Sequence, residues 1–331
     1  MTRRFRKVVV MSTTNRSEIA LGLLGWCFGL ACAGALLGIT FASSAAAQAV
    51  PQRTFGSPED AVKALVETVK TGNVDQLLTI FGADGQELIA SSDPATGRAN
   101  RDVFTVAVGE QWHLVDEAPN RKTLVIGNED WPFPVPLVKE ANRWRFDTAA
   151  GKEEVLARRI GRNELSTIET SRAYVAAQRR YAQQGHDGKS AGTFATKFRS
   201  DVGKENGLYW PTGRGQKRSP LGDLVAQASE EGRPVVGDRG QPSPFHGYYF
   251  KILTAQGGAA SGGAKSYVVK GELSGGFALI AWPAQYNATG VMTFLVNQEG
   301  IVLEKDLGPG TDAAARKITS YNPDASWRQS Q

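Results

Sequence analysis

Cysteine is nearly missing from this 331-residue chain: Cys27 and Cys32 are the only two, and both lie inside one apolar run near the N-terminus. Everything downstream therefore offers neither a disulfide nor a thiolate nucleophile. Histidine is scarce as well. His113, His186 and His246 are scattered, no His/Cys metal-ligand spacing exists, and no metal is expected. A phosphate loop, a dinucleotide fingerprint and a G-x-S-x-G elbow are all absent, so no cofactor is expected either. The pairs Gly257-Gly258 and Gly262-Gly263 precede a strand pattern rather than a helix and read as a flexible hairpin loop. Excess charge is also missing. Five of the 38 basic residues (Arg3, Arg4, Arg6, Lys7, Arg16) and one of the 33 acids (Glu18) precede residue 50, which leaves 33 against 32, a net +1. Such a body has no field to attract polyanions, so nucleic acid is not an expected partner. With 41% hydrophobic and 21% charged residues, the composition is that of a globular protein.

What is present begins with an export signal. Residues Ile19 to Ala42 carry no charge, and the chain continues SSAAAQA. Small residues at Ala45 and Ala47, or at Ala47 and Ala49, suit a signal peptidase, so cleavage is expected after Ala47 or Ala49, giving a mature start near Gln48 or Val50. The run is also long enough to span about 30 Å of hydrocarbon. An uncleaved anchor over Ile19 to Ala42 is therefore the alternative, and the membrane enters only through it.

Ser57-Pro58-Glu59-Asp60 is a helix start: Ser57 caps free N–H groups, Pro58 fits the first helical position, and the acids face the positive dipole end. Ala61, Val62, Leu65, Val66 and Val69 repeat at helical spacing up to Gly72; Asn73 caps a second helix that Gly82 ends. From Val103 the expectation is short strands, at Val103 to Val108, Trp112 to Asp116, Thr123 to Ile126, Val135 to Lys139 and Arg143 to Asp147. Trp144 and Phe146 alternate toward a core. Trp131-Pro132-Phe133-Pro134-Val135-Pro136 places its missing N–H groups on one side, the pattern of an exposed edge strand.

Residues 152–184 contain no proline and one glycine, Gly161, and predict one long or kinked helix. A short helix is then expected from Thr193 to Arg199, and another helix where Ser219-Pro220 repeats the capping pattern. Strands follow at His246 to Ala255, Tyr267 to Gly271, Phe277 to Trp282, Val291 to Val296 and Ile301 to Asp306, with Asn297-Gln298-Glu299-Gly300 as a hairpin turn. The fold class is α+β. The domain plan is a signal segment at 1–49, an N-terminal domain at 50–150, a connecting helix at 151–184 and an antiparallel-sheet domain at 185–331.

Chemistry has one candidate region. Ser219, Asp238 and His246 are the residues from which a hydrolase triad would be built. The competing assignment makes Ser219 a helix cap, His246 a strand start and Asp238 a turn residue. Tyr209, Trp210 and Arg214, with Tyr248 and Trp282, are candidates for contacting a carbohydrate or peptidoglycan, because aromatic faces and arginine donors suit sugars and carboxylates.

Three resemblances complete the reading. The order of two helices and a curved sheet ending in LVKEANRWRFDT is similar to the cone-shaped fold of the nuclear-transport-factor-like superfamily. The words RRIGRNEL, AYVAAQRRYA, GLYWP, SPLGDLVAQA, FHGYYFKILTAQG, GGFALIAWPAQY, GVMTFLVNQEG and EKDLGP together resemble the bacterial exported family known as domain of unknown function 2950. That resemblance implies an envelope or secreted protein, with an unknown envelope protein or cell-wall component as partner, and brings no catalytic residues. Relatives often carry an acid-rich, calcium-like loop after the AQ-Tyr helix, of which GHDGKSAG keeps only Asp187, so calcium is not carried over to this chain. The C-terminal half is also similar to pilin-like domains, from AAQRRYA to MTFLVNQEGIV. The functional expectation is a non-enzymatic periplasmic binding or scaffold protein. The alternatives are a periplasmic or cell-wall hydrolase using His246, and a membrane-anchored accessory factor of a secretion or pilus-like system.

Overall fold

The computed structural model describes residues 51–89, 94–213, 218–225 and 244–330. The segment expected to direct export, Arg214 and Asp238 lie outside the described residues. Helices and antiparallel sheets alternate in an α+β architecture that divides into two compact units, the first up to Ala157 and the second from Arg158.

In the first unit, α1 (Pro58–Thr71) starts where Ser57 Oγ accepts the Asp60 N–H at 3.1 Å and stops where Gly72 turns left-handed at φ 66°. Asn73 caps α2 (Val74–Phe81), followed by α3 (Gln86–Ile89) and α4 (Pro94–Glu110). The strand expected at Val103 to Val108 is the end of α4. Phe104 and Val108 are buried while Val106 is 63% exposed, a spacing of four that belongs to a helix and not to a strand.

Strands β1 (Trp112–Ala118), β2 (Arg121–Ile126), β3 (Trp131–Pro132), β4 (Leu137–Glu140) and β5 (Arg143–Phe146) form the sheet, with β3 and β4 both on the same edge of β2. The proline segment corrects the expectation of an exposed edge strand. Only Trp131–Pro132 pairs, and the four residues Phe133 to Pro136 face two of β2, so the chain bulges and is buried there. Phe133 packs edge-on against Phe104 and Phe146, and Val135 lies under Gly151. Trp144 and Phe146 are core, as their alternation requires.

Helix α5 (Thr148–Ala182) is unbroken over 35 residues, and a Cβ at Gly161 would meet nothing. Its first turns belong to the first core, through Thr148 Oγ1 to Phe81 O at 2.6 Å and Val155 against the apolar cluster. From Ile168 onward it carries Tyr174, Val175, Ala177 and Tyr181 into the second core.

The second unit is built on β6 (Tyr248–Leu253), short pairs β7 (Ala255–Gln256) with β8 (Lys265–Ser266) and β9 (Val268–Val269) with β10 (Glu272–Leu273), and then β11 (Ala278–Pro283), β12 (Met292–Asn297), β13 (Leu303–Asp306) and β14 (Arg328–Gln329). The main sheet runs β14-β13-β12-β11-β6. The turn at Asn297 to Gly300 closes as expected, with Gly300 N–H donating to Asn297 O at 3.0 Å. Helix α6 (Thr311–Lys317) was not anticipated. Neighbouring residues alternate across the sheet: Tyr248 meets Glu164 of α5 while Tyr249 meets Arg316 of α6, so the two helices cover opposite faces.

Two further expectations need correction. Thr193 to Arg199 is not helical. Its backbone is claimed by neighbours, Phe194 N–H by Leu273 O at 2.7 Å and Lys197 and Phe198 carbonyls by the Leu208 and Tyr209 amides. The loop after Gly257 is pinned rather than slack: Gln256 Nε2 donates to the carbonyls of Ser261 and Gly263, and Asn322 Oδ1 accepts the Ala259 N–H.

Candidate functional site

Ser219 is 1% exposed, and its Oγ has no hydrogen-bond partner, so it does not cap the turn that follows; the Ser219 carbonyl does, accepting the Gly222 N–H at 2.8 Å. Arg180, in the last turn of α5, donates to the Ser219 and Pro220 carbonyls. His246 lies elsewhere. With φ values of 47° and 75°, His246 and Gly247 form the two-residue turn before β6, not the start of the strand. Gly247 sits so close to Asn163 that a Cβ would lie 2.8 Å from Nδ2. Ser219 is thus tied to Arg180 and His246 to the neighbourhood of Asn163, about 25 Å apart along α5 at 1.5 Å per residue. The structure does not bring these two candidates together.

Trp210 is drawn into a cluster around a histidine that sequence reasoning had set aside. The His186 side chain is 2% exposed, stacks on Tyr181 at 4.1 Å and 19°, and lies 5.5 Å from the Trp210 ring. Its Nδ1 is 3.0 Å from Glu205 Oε2 and its Nε2 3.1 Å from the Tyr181 carbonyl. Each ring nitrogen is already engaged, so neither is presented to a substrate. Tyr181 Oη donates to Glu205 O at 2.9 Å, and Glu205 N–H donates to Asp187. The cluster clamps the loop to the end of α5. Tyr209 serves the same loop through its backbone, bonded to Phe198 and Ser200.

Burial, with the charges of Asp187 and Glu205, pushes the Tyr181 phenol up to about 12, and burial does the same for Tyr267. An unfolded tyrosine ionises near pH 10, so the unfolded chain releases these protons first as pH rises. Stability is therefore complete below about pH 10 and falls progressively toward about 12. The urea midpoint is expected to drop between about pH 9.5 and 11.5, with a shallower slope in Tyr181→Phe. A midpoint constant over that range contradicts the assignment.

Tyr248 and Trp282 occupy opposite faces of the sheet. Tyr248 is fully buried; its Oη donates to Met292 O at 3.0 Å and lies 3.4 Å from Glu164 Oε1, which also accepts the Val291 and Met292 amides at 2.8 and 2.9 Å. Burial and the Glu164 charge hold that phenol far above its ordinary range. Trp282 is 4% exposed and donates from Nε1 to Asp312 Oδ1 at 2.9 Å. Arg316 Nε bonds both Asp312 oxygens at 2.9 and 3.0 Å, while its guanidinium lies 5.6 Å from the Tyr249 ring and 5.9 Å from that of Trp282. Hydrogen bonds from Arg316 and Trp282 keep the Asp312 carboxyl below its usual range. Lys251 Nζ caps the C-terminal end of α6, donating to the Ala315 and Arg316 carbonyls at 3.1 and 2.9 Å.

This grouping was legible only in part. Asp312 in the first turn and Arg316-Lys317 in the last mark TDAAARK as a short helix, but nothing in the sequence says which aromatic it covers. Among the described residues no group of three His, Cys, Asp or Glu side chains is placed to hold a metal ion, and no helix is long and apolar enough to cross a membrane.

The described chain comprises two compact α+β units, and the motif words all fall in the second, from Arg158 onward. The model of the family described as protein of unknown function (DUF2950) matches residues 52–330, and the chain belongs to that family. No curated protein and no solved structure matches the chain, and the pilin-like resemblance has no counterpart among solved structures.

Proposed function

We propose that the chain is an exported, non-enzymatic envelope protein that binds or scaffolds a partner. The observation that carries this reading is that the candidate groups are engaged within the fold: Ser219 is buried beside Arg180, and both ring nitrogens of His186 are bonded within the protein. The start of the family match at residue 52, just past the apolar run and its small-residue tail, supports export with removal of that segment. The separation of Ser219 from His246 weighs against the hydrolase alternative. The pilin-like assignment of the second unit belongs to the same proposal, supported by a long helix laid on an antiparallel sheet.

Intact mass and N-terminal sequencing of protein from fractionated cells test the proposal. The expected species is soluble and begins near Gln48 or Val50. A membrane-bound species retaining Ile19 to Ala42 overturns the release, and hydrolysis of cell-wall material that disappears in His246→Ala overturns the non-enzymatic assignment.

A further inference from the structure

Where α6 lies on the sheet, three side chains keep donors that the fold does not use. Arg316 Nε is held by both Asp312 oxygens at 2.9 and 3.0 Å, yet its Nη1 and Nη2 meet no acceptor among the described residues, and the side chain is half-exposed. Tyr249, partly exposed and 5.6 Å from that guanidinium, likewise has no hydrogen-bond partner for its hydroxyl among the described residues. Lys251 Nζ gives two of its three protons to the Ala315 and Arg316 carbonyls, at 3.1 and 2.9 Å, and keeps the third.

Two features separate this group from ordinary surface arginines and lysines. The first is rigidity. Asp312 is itself fixed by Trp282 Nε1 at 2.9 Å, and the Tyr249 and Trp282 rings lie 5.6 and 5.9 Å from the guanidinium, so the free fork is held in one orientation. The second is charge. Lys251 Nζ stands 5.8 Å from the same Trp282 ring that Arg316 flanks, which places two cations around the Asp312 carboxylate. Burial, and after it the Arg316 charge, hold the Lys251 ammonium below its ordinary range, so the like charges act on each other. An anion arriving at the fork relieves that repulsion and gains a bidentate, charge-assisted contact.

We infer that Arg316, Lys251 and Tyr249 form a binding site for the carboxylate of an acidic saccharide; this rests on the binding reading above and names its ligand class. The Arg316 fork takes the carboxylate, and the Lys251 ammonium adds its charge. The Tyr249 hydroxyl and ring meet a hydroxyl and the C–H face of the same sugar. An acidic peptide side chain satisfies the fork but brings no hydroxyl-bearing ring to Tyr249, and this favours the saccharide.

The test uses the mature protein and trigalacturonate, with the neutral galactose trimer and an end-capped glutamate tripeptide as comparisons. Binding is read by calorimetry and by the shifts of the Trp282 indole N–H and the Arg316 Nε–H. Trigalacturonate is expected to bind and move both signals, the neutral trimer to bind at least about tenfold more weakly, and Arg316→Gln to lose about tenfold. Tyr249→Phe removes one hydroxyl and keeps the ring packing, so it tests the site without disturbing α6, and a loss of about three- to tenfold is expected. Lys317→Gln removes a neighbouring exposed cation outside the site and is expected to leave affinity within about twofold. Failure of trigalacturonate to bind, equal binding of the neutral trimer, or affinity unchanged in Arg316→Gln or in Tyr249→Phe overturns the inference. A loss in Lys317→Gln equal to that in Arg316→Gln overturns it too, by assigning the attraction to bulk charge, and tighter binding of the glutamate peptide does so by assigning the fork to acidic peptides. None of these results alters the size or location of the exported species, so the inference fails separately from the function on which it rests.

Discussion

Gly290→Ala lowers the melting temperature by about 10 °C, corresponding to roughly 3–4 kcal/mol at this chain length. A Cβ at this position would stand 2.0 Å from Tyr248 Oη and 2.5 Å from its Cζ. Tyr248 has nowhere to go. It is fully buried, packs 5.8 Å from the Phe294 ring, and holds the Met292 carbonyl at the point where Glu164 also collects the Val291 and Met292 amides. Displacing the ring costs the packing and the bonds that seat β12 on α5. Thermal and urea denaturation measure the effect. In the double variant with Tyr248→Ala the two losses are less than additive, because the second change removes what the first collides with. A drop under about 1 kcal/mol for Gly290→Ala, or strict additivity, would show that the contact is relieved elsewhere.

Gln178→Leu costs about 3 kcal/mol and loosens the Thr193 to Arg199 segment more than the rest of the unit. Gln178 is completely buried and acts as a stretch of strand: its Nε2 donates to Ala195 O at 2.8 Å and its Oε1 accepts the Ala195 N–H at 2.9 Å, with Tyr174 Oη a further 3.1 Å contact. Leucine fills the space but leaves both Ala195 backbone groups buried without partners. Hydrogen exchange should therefore accelerate first at Phe194 and Ala195, ahead of β11 and β12. Uniform acceleration across the sheet would mean that the amide supports the whole unit and not this segment.

The difference between what could be read and what could not follows from the range of the forces. Ser57, Pro58 and Gly72 delimit α1 because a cap, a fixed φ and a left-handed stop act within a few residues. The Asn297 to Gly300 turn and the uninterrupted α5 are legible for the same reason. Val103 to Val108 is ambiguous locally, since its β-branched residues favour a strand, and only burial at Phe104 and Val108 selects the helix. Thr193 to Arg199 has the composition of a helix, yet the Gln178 amide and the Leu273 carbonyl, distant in sequence, take its backbone bonds.

Composition, periodicity and capping residues were enough to determine an α+β chain with an apolar N-terminal run and no cysteine after it, while the family was legible through the resemblance of its motif words. Tertiary structure alone decided that Ser219 sits by the C-terminal end of α5 and His246 near its middle, that His186 has both nitrogens occupied, and that Arg316 stands over Tyr249 and Trp282. Those outcomes depend on strand register and on which helix covers which face, and register is a pairing between residues far apart in the chain that no local pattern encodes.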